Sequence, residues 1–325
     1  MIGLPPDHPA ENGPAPGRPE PHAAAGAAPA DPDGPIIRLR GVAKRFGDQT
    51  VLEDINLDVR RGETMVIMGG SGSGKSTTLR LMIGSMRPSA GTIELFGRNI
   101  CGMREEELNE IRKKFGILFQ SGALFNSMTV AENVALPLQE HTDLDPEIID
   151  IQVKIKLELV GLREHADKFP AQISGGMKKR AGLARALALD PQILFYDEPS
   201  AGLDPVTSAQ IDQLIVALSK QLGVTSVVVT HEMDSAFTIA DRMAMLDKGR
   251  ILKVASRDWF ERLRDLPEGE AAHLPDSERL IRQFLRGDAE GPITERRTSA
   301  GYAADLFGEP VLVTRTPSVE STRIR

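Results

Sequence analysis

Residues 69–77 read GGSGSGKST, and this stretch decides the fold. It matches the pattern G-x-x-x-x-G-K-[ST], follows the apolar run MVIM at 65–68 and precedes a helical pattern that begins at Thr78. Glycines let successive backbone N–H groups curl around an anion without a Cβ in the way, and a helix N-terminus adds partial positive charge. A strand, this loop and a helix, in that order, therefore predict a phosphate-binding loop.

Two side chains of this loop have specific predicted roles. We expect Lys75 to reach the β- and γ-phosphates of a nucleotide, and the Ser76 hydroxyl to bind Mg²⁺. A flexible Gly/Ser turn is the alternative, and the strand and helix on either side argue against it. The residues predicted to bind nucleotide here are Gly69, Gly70, Ser71, Gly72, Ser73, Gly74, Lys75, Ser76 and Thr77.

The composition is that of a globular protein, with 41% hydrophobic and 26% charged residues. A net charge of −7 argues against a nucleic-acid partner, because nucleic-acid binders carry a basic surface. No run of about 20 apolar residues indicates a membrane span, and no N-terminal pattern indicates a secretory signal. Cys101 is the single cysteine, so no internal disulfide can form, which fits a reducing compartment.

The sequence divides into three segments. Residues 1–35 hold ten of the 22 prolines and little bulk to bury, which predicts a disordered tail. In residues 36–256, continuous apolar runs alternate with helical patterns and predict a domain with a parallel α/β sheet, while 121–185 predicts an inserted helical lobe. Residues 257–325 form a C-terminal extension with a helix predicted at about 276–286.

A hydrophobic strand that ends in two acids forms a second motif, ILFYDEP at 193–199. At a strand end beside a phosphate loop, one carboxylate can hold Mg²⁺ and another can orient a water molecule. We therefore assign Asp197 to the metal, through a bound water, and Glu198 to the attacking water as general base. An acidic turn is the alternative for this motif taken alone.

A second glycine-rich loop, ISGGM at 173–177, leads into another helical pattern. The free N–H groups of that helix N-terminus and a serine hydroxyl suit a phosphate, so Ser174, Gly175 and Gly176 are candidates for nucleotide binding. A simple helix cap is the alternative. One nucleotide needs only one such loop, so the second loop requires an explanation.

Three further side chains are candidates because each lies at the end of a predicted strand or at a predicted turn. His231 ends an apolar strand and could donate to a γ-phosphate, although most lone histidines are bystanders. Gln120 ends the strand at 116–119, where a neutral amide can contact Mg²⁺ or water. Phe46 lies at a predicted β-turn, where it could stack on adenine or be an ordinary edge aromatic.

The set of motifs, in this order, resembles the nucleotide-binding subunits of ABC transporters over about residues 36–255. The matches are Phe46 to the adenine-stacking loop, 69–77 to Walker A, Gln120 to the Q-loop, 173–177 to the signature, 193–198 to Walker B, 201–204 to the D-loop and His231 to the switch histidine. The resemblance implies a P-loop NTPase fold, with a RecA-like parallel sheet core, an antiparallel β-subdomain and an inserted helical subdomain. It also implies ATP hydrolysis, with ATP and Mg²⁺ as cofactors.

This resemblance further implies a head-to-tail homodimer with two ATP molecules between the protomers. The signature loop of one subunit then faces the phosphate loop of the other, which accounts for the second glycine loop, and Asp204 of the D-loop joins the nucleotide-binding residues. A separate integral-membrane permease is the implied partner. The subunit is accordingly expected at the cytoplasmic face of the inner membrane, as a peripheral protein.

A finer resemblance is to the Mla-type phospholipid transport ATPases, which maintain outer-membrane lipid asymmetry. The runs that carry it lie at 119–125, 132–138, 174–184, 282–287, 291–292 and 302–306. It implies phospholipid cargo, an MCE-family lipid-binding protein and a small regulatory subunit as partners, and a C-terminal extension that contacts the neighbouring subunit. Ile173 and Met177 depart from the Leu and Gln that are usual in the signature.

Two other functions stay open. The run THEM at 230–233 is shared with importers of polar amino acids, whereas the tail after residue 275 argues against that cargo. A soluble ABC ATPase of translation or DNA repair is the other alternative, but such proteins usually carry two nucleotide domains or a long coiled coil. A small GTPase is not expected, because the chain has no N-K-x-D guanine-reading motif.

Overall fold

The computed structural model describes residues 34–289 and 291–292. Most of the predicted N-terminal tail and the tail pattern at 302–306 lie outside the described residues. The strands are β1 (Ile37–Phe46), β2 (Gln49–Val59), β3 (Thr64–Met68), β4 (Ala90–Leu95), β5 (Arg98–Asn99), β6 (Phe115–Leu118), β7 (Ile193–Asp197), β8 (Thr225–Thr230), β9 (Arg242–Asp247) and β10 (Arg250–Ser256).

The helices alternate with the strands in the second half of the chain. They are α1 (Lys75–Met82), α2 (Glu105–Arg112), α3 (Val130–His141), α4 (Pro146–Leu159), α5 (Gly175–Ala186), α6 (Pro205–Leu222), α7 (Met233–Ile239), α8 (Arg257–Asp265), α9 (Glu268–Ala271) and α10 (Asp276–Arg286). Short 3₁₀ turns at Arg163–His165 and Pro170–Gln172 lie between α4 and α5. Among the described residues, no helix has the length and apolar character to cross a membrane.

The larger sheet has the strand order β10-β9-β3-β8-β7-β6. Its strands from β9 to β6 pair in parallel, and β10 is an antiparallel edge strand. Every residue of β3 and β8 is buried, because helices cover both faces of a parallel sheet. This burial explains why the apolar runs in the sequence are continuous rather than alternating, and the predicted parallel α/β core is confirmed.

The smaller sheet is antiparallel, with the order β2-β1-β4-β5. Helix α1 contacts β2 and β4 of this sheet and β7 and β8 of the larger one. One buried cluster accordingly includes Leu39 of β1, Ile67 of β3 and Leu79 of α1. The helix that follows the predicted phosphate loop is therefore packed between the two sheets, and the expected antiparallel β-subdomain is confirmed.

Between β6 and β7 the chain forms the helical insertion of α3, α4 and α5, which contact one another. Asn133 of α3 is fully buried and holds the segment before its own helix. Its side-chain oxygen accepts from the Phe125 N–H at 2.8 Å, and its amide donates to the carbonyls of Phe125, Met128 and Thr129. A buried polar group so fully paired fixes the loop that leads from the core into the helical subdomain.

After β10 the chain folds back on itself through α8, α9 and α10. Helix α10 contacts α8, and Leu280 and Ile281 of α10 share a buried cluster with Phe260 and Leu263 of α8. These apolar residues of α10 are thus covered within the same chain. A contact of this extension with a second subunit stays a prediction.

Replacing Ile281 by alanine tests whether this packing holds the C-terminal helix. Ile281 has 0% exposure, so Ile281→Ala should lower the free energy of unfolding by about 2–5 kcal/mol, through lost burial and a residual cavity. Ile151→Ala on α4 removes the same atoms from a side chain that is 50% exposed and should cost less than about 1 kcal/mol. Urea denaturation measures both, and equal midpoints for the two variants would contradict the assignment.

Candidate functional site

The loop at 69–74 leaves the buried strand β3 and enters α1 at Lys75. A Cβ on Gly69 would lie 2.1 Å from the Leu246 carbonyl oxygen, and one on Gly74 would lie 2.5 Å from a methyl carbon of Leu52. Both distances are far inside van der Waals contact, so the loop can run this close to β9 and β2 only with glycine at these positions.

Lys75 is folded over this loop. Its Nζ donates to the carbonyl oxygens of Gly69 at 2.8 Å and Gly70 at 3.0 Å. Burial lowers the pKa of the Lys75 ammonium, while the charges of Glu198 and Asp197 act in the opposite direction. The ammonium is therefore in place beside the loop, near two carboxylates, where it can exchange carbonyl oxygens for phosphate oxygens.

Asp197 is the last residue of β7 and the first acid of the site. Its Oδ1 atom is buried and has no hydrogen-bond partner among the described residues. Burial raises the pKa of this carboxyl, and the neighbouring Glu198 charge acts in the same direction. An unpaired buried carboxylate oxygen is costly, so this atom is suited to a cation or a bound water.

Glu198 follows directly, and its carboxylate is held by the end of β8. Its Oε2 accepts from the Thr230 hydroxyl at 3.2 Å and from the His231 backbone N–H at 3.4 Å, and it lies 2.9 Å from His231 Nδ1. The sequence motifs predicted Glu198 and His231 separately, and the structure brings them together. Thr230 was missed, although it stands at the same strand end as His231.

The parallel register explains how these residues meet. Met68 of β3 pairs with Thr230 of β8, and Val229 of β8 pairs with Asp197 of β7. The next strand, β6, pairs in parallel with β7 and ends just before Gln120, which is exposed. Loops after the carboxyl ends of parallel strands share one edge of the sheet, so Gln120 belongs to the same edge.

The signature loop forms the start of α5. Ser174 is the N-cap, and its hydroxyl accepts from the Met177 N–H at 3.3 Å. Gly175 is exposed, whereas Gly176 is buried and a Cβ there would lie 2.4 Å from a methyl carbon of Thr207. The cap that the sequence offered as an alternative is therefore present, and the remaining N–H groups at this helix end are free of side-chain caps.

Asp204 has a similar position at the start of α6. Its Oδ1 accepts from the N–H groups of Val206 and Thr207, and the hydrogen bonds from Thr207 hold the pKa of this carboxyl below its usual value. Within the described part of the chain, no hydrogen bond or ion pair joins Asp204 or the loop at 173–177 to the loop at 69–77.

Phe46 ends β1 with 47% of its surface exposed. The ammonium of Lys44 lies 5.0 Å from the centre of its ring. The neighbouring strand β2 brings Val51 and Leu52 against Gly74, so the antiparallel sheet borders the phosphate loop on this side. The ring is accessible, and its stacking on adenine stays a prediction.

The family model described as ABC transporter matches residues 52–201. The chain is 42% identical to the probable ribonucleotide transport ATP-binding protein mkl of Mycobacterium leprae, over 89% of its own length and 84% of that protein. It is 41% identical to the intermembrane phospholipid transport system ATP-binding protein MlaF of Escherichia coli, over 84% of its own length and 96% of that protein.

Solved structures of ATP-binding cassettes share the fold. A dimeric post-hydrolysis state of the cassette MJ0796 bound to ADP and Pi superposes with a TM-score of 0.63 at 33% identity, covering 68% of this chain and 98% of that one. The cassette cbiO1 of Clostridium perfringens, part of the transporter complex cbiONQ, gives a TM-score of 0.68 at 28% identity, covering 77% and 99%. The sequence resemblance is thus confirmed, and the chain belongs to the ATP-binding proteins of ABC transporters.

Proposed function

We propose that this chain is the ATP-hydrolysing subunit of an ABC transporter that moves phospholipids, of the Mla type that maintains outer-membrane lipid asymmetry. The observation that carries the proposal is the Glu198 carboxylate, which His231 and Thr230 hold at the sheet edge beside the phosphate loop. The MlaF proteins of Escherichia coli and Haemophilus influenzae support the cargo, since the chain covers 96% and 98% of their lengths.

Ribonucleotide transport is the second candidate cargo. The relatives named for it are 42–44% identical to this chain, which is slightly above the 38–41% of the MlaF proteins. The chain covers only 73–84% of those relatives, so the MlaF proteins match it better in extent. Neither cargo is a polar amino acid, and transport names do not favour a soluble ATPase of translation or DNA repair.

In the first step, the phosphate loop binds ATP through its N–H groups and Lys75. When phosphate oxygens replace the carbonyls of Gly69 and Gly70, the ammonium exchanges neutral acceptors for oppositely charged ones and gains their Coulomb attraction. Phe46 stacks on the adenine ring. The small side chains of Ser71 and Ser73 and the turn at Gly72 keep the loop close to the phosphates.

The oxygen donors at this edge fit Mg²⁺. The unpaired Asp197 Oδ1 and the Ser76 hydroxyl are hard ligands, and the Gln120 amide oxygen adds a neutral one. No group of three or more His, Cys, Asp or Glu side chains could hold a metal on its own in the part of the chain that the structure describes, so phosphate oxygens and water must complete the shell. Bound Mg²⁺ would supply charge neutralisation at the β- and γ-phosphates.

Glu198 serves as the general base, which takes a proton from the attacking water. His231 orients the carboxylate, and a ring whose Nδ1–H donates to Glu198 leaves Nε2 as an acceptor when the ring is neutral. His231 can therefore hold Glu198 and donate to a γ-phosphate at the same time only if the ring is protonated. If the ring is neutral, the Nδ1 contact with Glu198 is lost when His231 donates to the γ-phosphate.

A second copy completes each nucleotide site. Ser174, Gly175 and Gly176 lie at the start of α5, and Asp204 is exposed at the start of α6. No hydrogen bond or ion pair among the described residues joins either group to the phosphate loop of its own chain. A head-to-tail pair places them against the ATP on the other protomer. ATP then favours the closed pair because it binds that state better, and hydrolysis releases it.

A groove between the sheet edge and the helical subdomain is the proposed surface for the permease. It has a volume of about 900 Å³ and is lined by α2, β6, α3 and α5, including Phe119, Pro137 and Arg185. Phe119, which directly precedes Gln120, and Phe125 are exposed large apolar residues. Such exposed apolar surface is typical of a protein contact. The permease would hold this subunit at the cytoplasmic face of the inner membrane, with an MCE-family lipid-binding protein and a small regulatory subunit as further partners.

Glu198→Gln tests the base. The variant should bind ATP normally and form an ATP-dependent dimer, but its turnover should fall by about 10²- to 10⁴-fold, the usual contribution of a general base. Steady-state phosphate release and size-exclusion chromatography with ATP measure the two effects. Glu147→Gln, on the exposed start of α4, is the control; turnover by Glu198→Gln at the wild-type rate would show that the base lies elsewhere.

Lys75→Ala tests the phosphate loop. Loss of a charged donor to the β- and γ-phosphates should weaken ATP binding by about 10- to 100-fold, since such a bond contributes about 1.5–3 kcal/mol. Equilibrium binding of a fluorescent ATP analogue measures the change. Lys154→Ala on α4, whose ammonium pairs with Asp150, should bind the analogue as the wild type does, and unchanged affinity in both variants would contradict the role of Lys75.

The cargo is tested on the complex isolated from its native membrane. We expect a permease and a lipid-binding protein to copurify with this chain, and mass spectrometry of extracted small molecules to find phospholipid. Vesicles that contain phospholipid should then raise the ATPase rate of the complex. Copurified ribonucleotide other than the ATP and ADP held at the phosphate loops, with no bound phospholipid, would replace the proposed cargo with the second candidate.

A further inference from the structure

Helix α5 carries a buried lysine on the side away from solvent. Lys179 is 5% exposed, and its Nζ donates to the backbone carbonyl oxygen of Glu198 at 2.9 Å. The helix begins at Ser174 in the signature loop, so a single rigid element connects that loop to the residue proposed as the base. In the sequence, Lys179 stands in the run KKR and has no feature that distinguishes it from a solvent-exposed lysine.

Glu198 has an unusual backbone conformation, which gives this contact its importance. Its φ is +50°, in the left-handed region that residues with a Cβ seldom adopt unless their surroundings hold them there. The Glu198 N–H donates to the Val229 carbonyl at 2.9 Å, and the Ala201 N–H donates to the Glu198 carbonyl at 3.3 Å. The Lys179 bond is shorter than the second of these and is charge-assisted. It is therefore the stronger restraint on the Glu198 carbonyl.

Burial of the Lys179 charge at this position costs free energy, because the ammonium loses its contact with water. Burial lowers the pKa of its ammonium, while the charges of Glu232, Glu198 and Asp197 act in the opposite direction. A buried charge that served only to fill space would be replaced at lower cost by an apolar side chain of similar length. The ammonium therefore has its function at the acids of the site, and not in packing alone.

The other end of α5 is fixed to the segment that follows Gln120. Arg185 donates to the carbonyls of Ala123 at 2.8 Å and Gly122 at 3.2 Å. A Cβ on Gly182 would lie 2.8 Å from the Gly122 carbonyl oxygen, so helix and loop are in close contact here. A displacement of α5 thus moves this segment and the Lys179 ammonium together.

We propose that Lys179 is a positioning residue for Glu198, which fixes the left-handed peptide and thereby the direction of the carboxylate. The proposal rests on the proposed function and deepens it by naming how the site is regulated. When the signature loop meets the nucleotide on the neighbouring protomer, any shift of α5 is transmitted through Lys179 to the base of its own subunit. Each hydrolytic site then responds to the occupancy of the other.

Steady-state kinetics of Lys179→Met measure the effect. In Lys179→Met the Glu198 carboxylate should be misdirected, so kcat should fall by about 10- to 100-fold. The phosphate loop is unchanged, so KM for ATP should stay within about twofold of wild type. Lys178→Met removes the same charge from the preceding residue, which makes no hydrogen bond or ion pair to Glu198 among the described residues, and should keep the wild-type kcat. An unchanged kcat in Lys179→Met, or a rise in KM alone, would overturn the proposal.

A double variant separates positioning from a general loss of structure. If Lys179 acts through the Glu198 carboxylate, adding Lys179→Met to Glu198→Gln should lower the single-turnover rate by no more than about twofold, because residues that act as a unit are not additive. A further loss as large as in the single variant would contradict the proposal. Lys179→Gln, whose side chain is one bond shorter and carries no charge, should show a similar loss of kcat and replaces Lys179→Met if that variant does not fold.

These measurements keep the two proposals distinct. Wild-type turnover by Glu198→Gln would overturn the general base, whatever Lys179 does. A catalytically impaired Glu198→Gln beside a fully active Lys179→Met would leave the proposed function in place and overturn only the role of Lys179.

Discussion

The parallel pairing of β3, β8, β7 and β6 is the constraint on which the site depends. Each strand ends at the same edge of the sheet, so residues far apart in sequence meet there: the phosphate loop after β3, His231 after β8, Asp197 and Glu198 at β7, and Gln120 after β6. The strands are buried on both faces, which fixes their register, because a slip of one residue would exchange the side chains of the two faces.

Much of this arrangement could be predicted because local sequence determines it. The glycines at 69 and 74 match positions where any larger residue would collide with β9 or β2, and continuous apolar runs mark strands that are covered on both faces. The acids and His231 stand directly after such runs, so the edge that they share follows from the parallel fold alone. The roles of Phe46, Ser174 and Asp204 stay predictions, because they concern a nucleotide and a second protomer.

What the sequence could not provide depends on packing between distant segments. The run KKR that contains Lys179 is typical of a solvated helix face. Lys179 is buried only because α5 packs against the end of β7. The left-handed backbone of Glu198 has no sequence signal, since glycine is the residue that normally indicates it. The apolar residues of α10 recur at a helical spacing, which predicts that this face of the helix packs on another surface. The spacing alone does not identify that surface as α8 of the same chain.

The Oδ1 atom of Asp197, unpaired among the described residues, affects the stability of the protein when no nucleotide is bound. Because no described donor reaches this carboxylate oxygen beside a second acid, binding of a cation with its nucleotide should stabilise the fold. The resting subunit is consequently the form more prone to local opening. The subunit would then be most stable where ATP and Mg²⁺ are abundant.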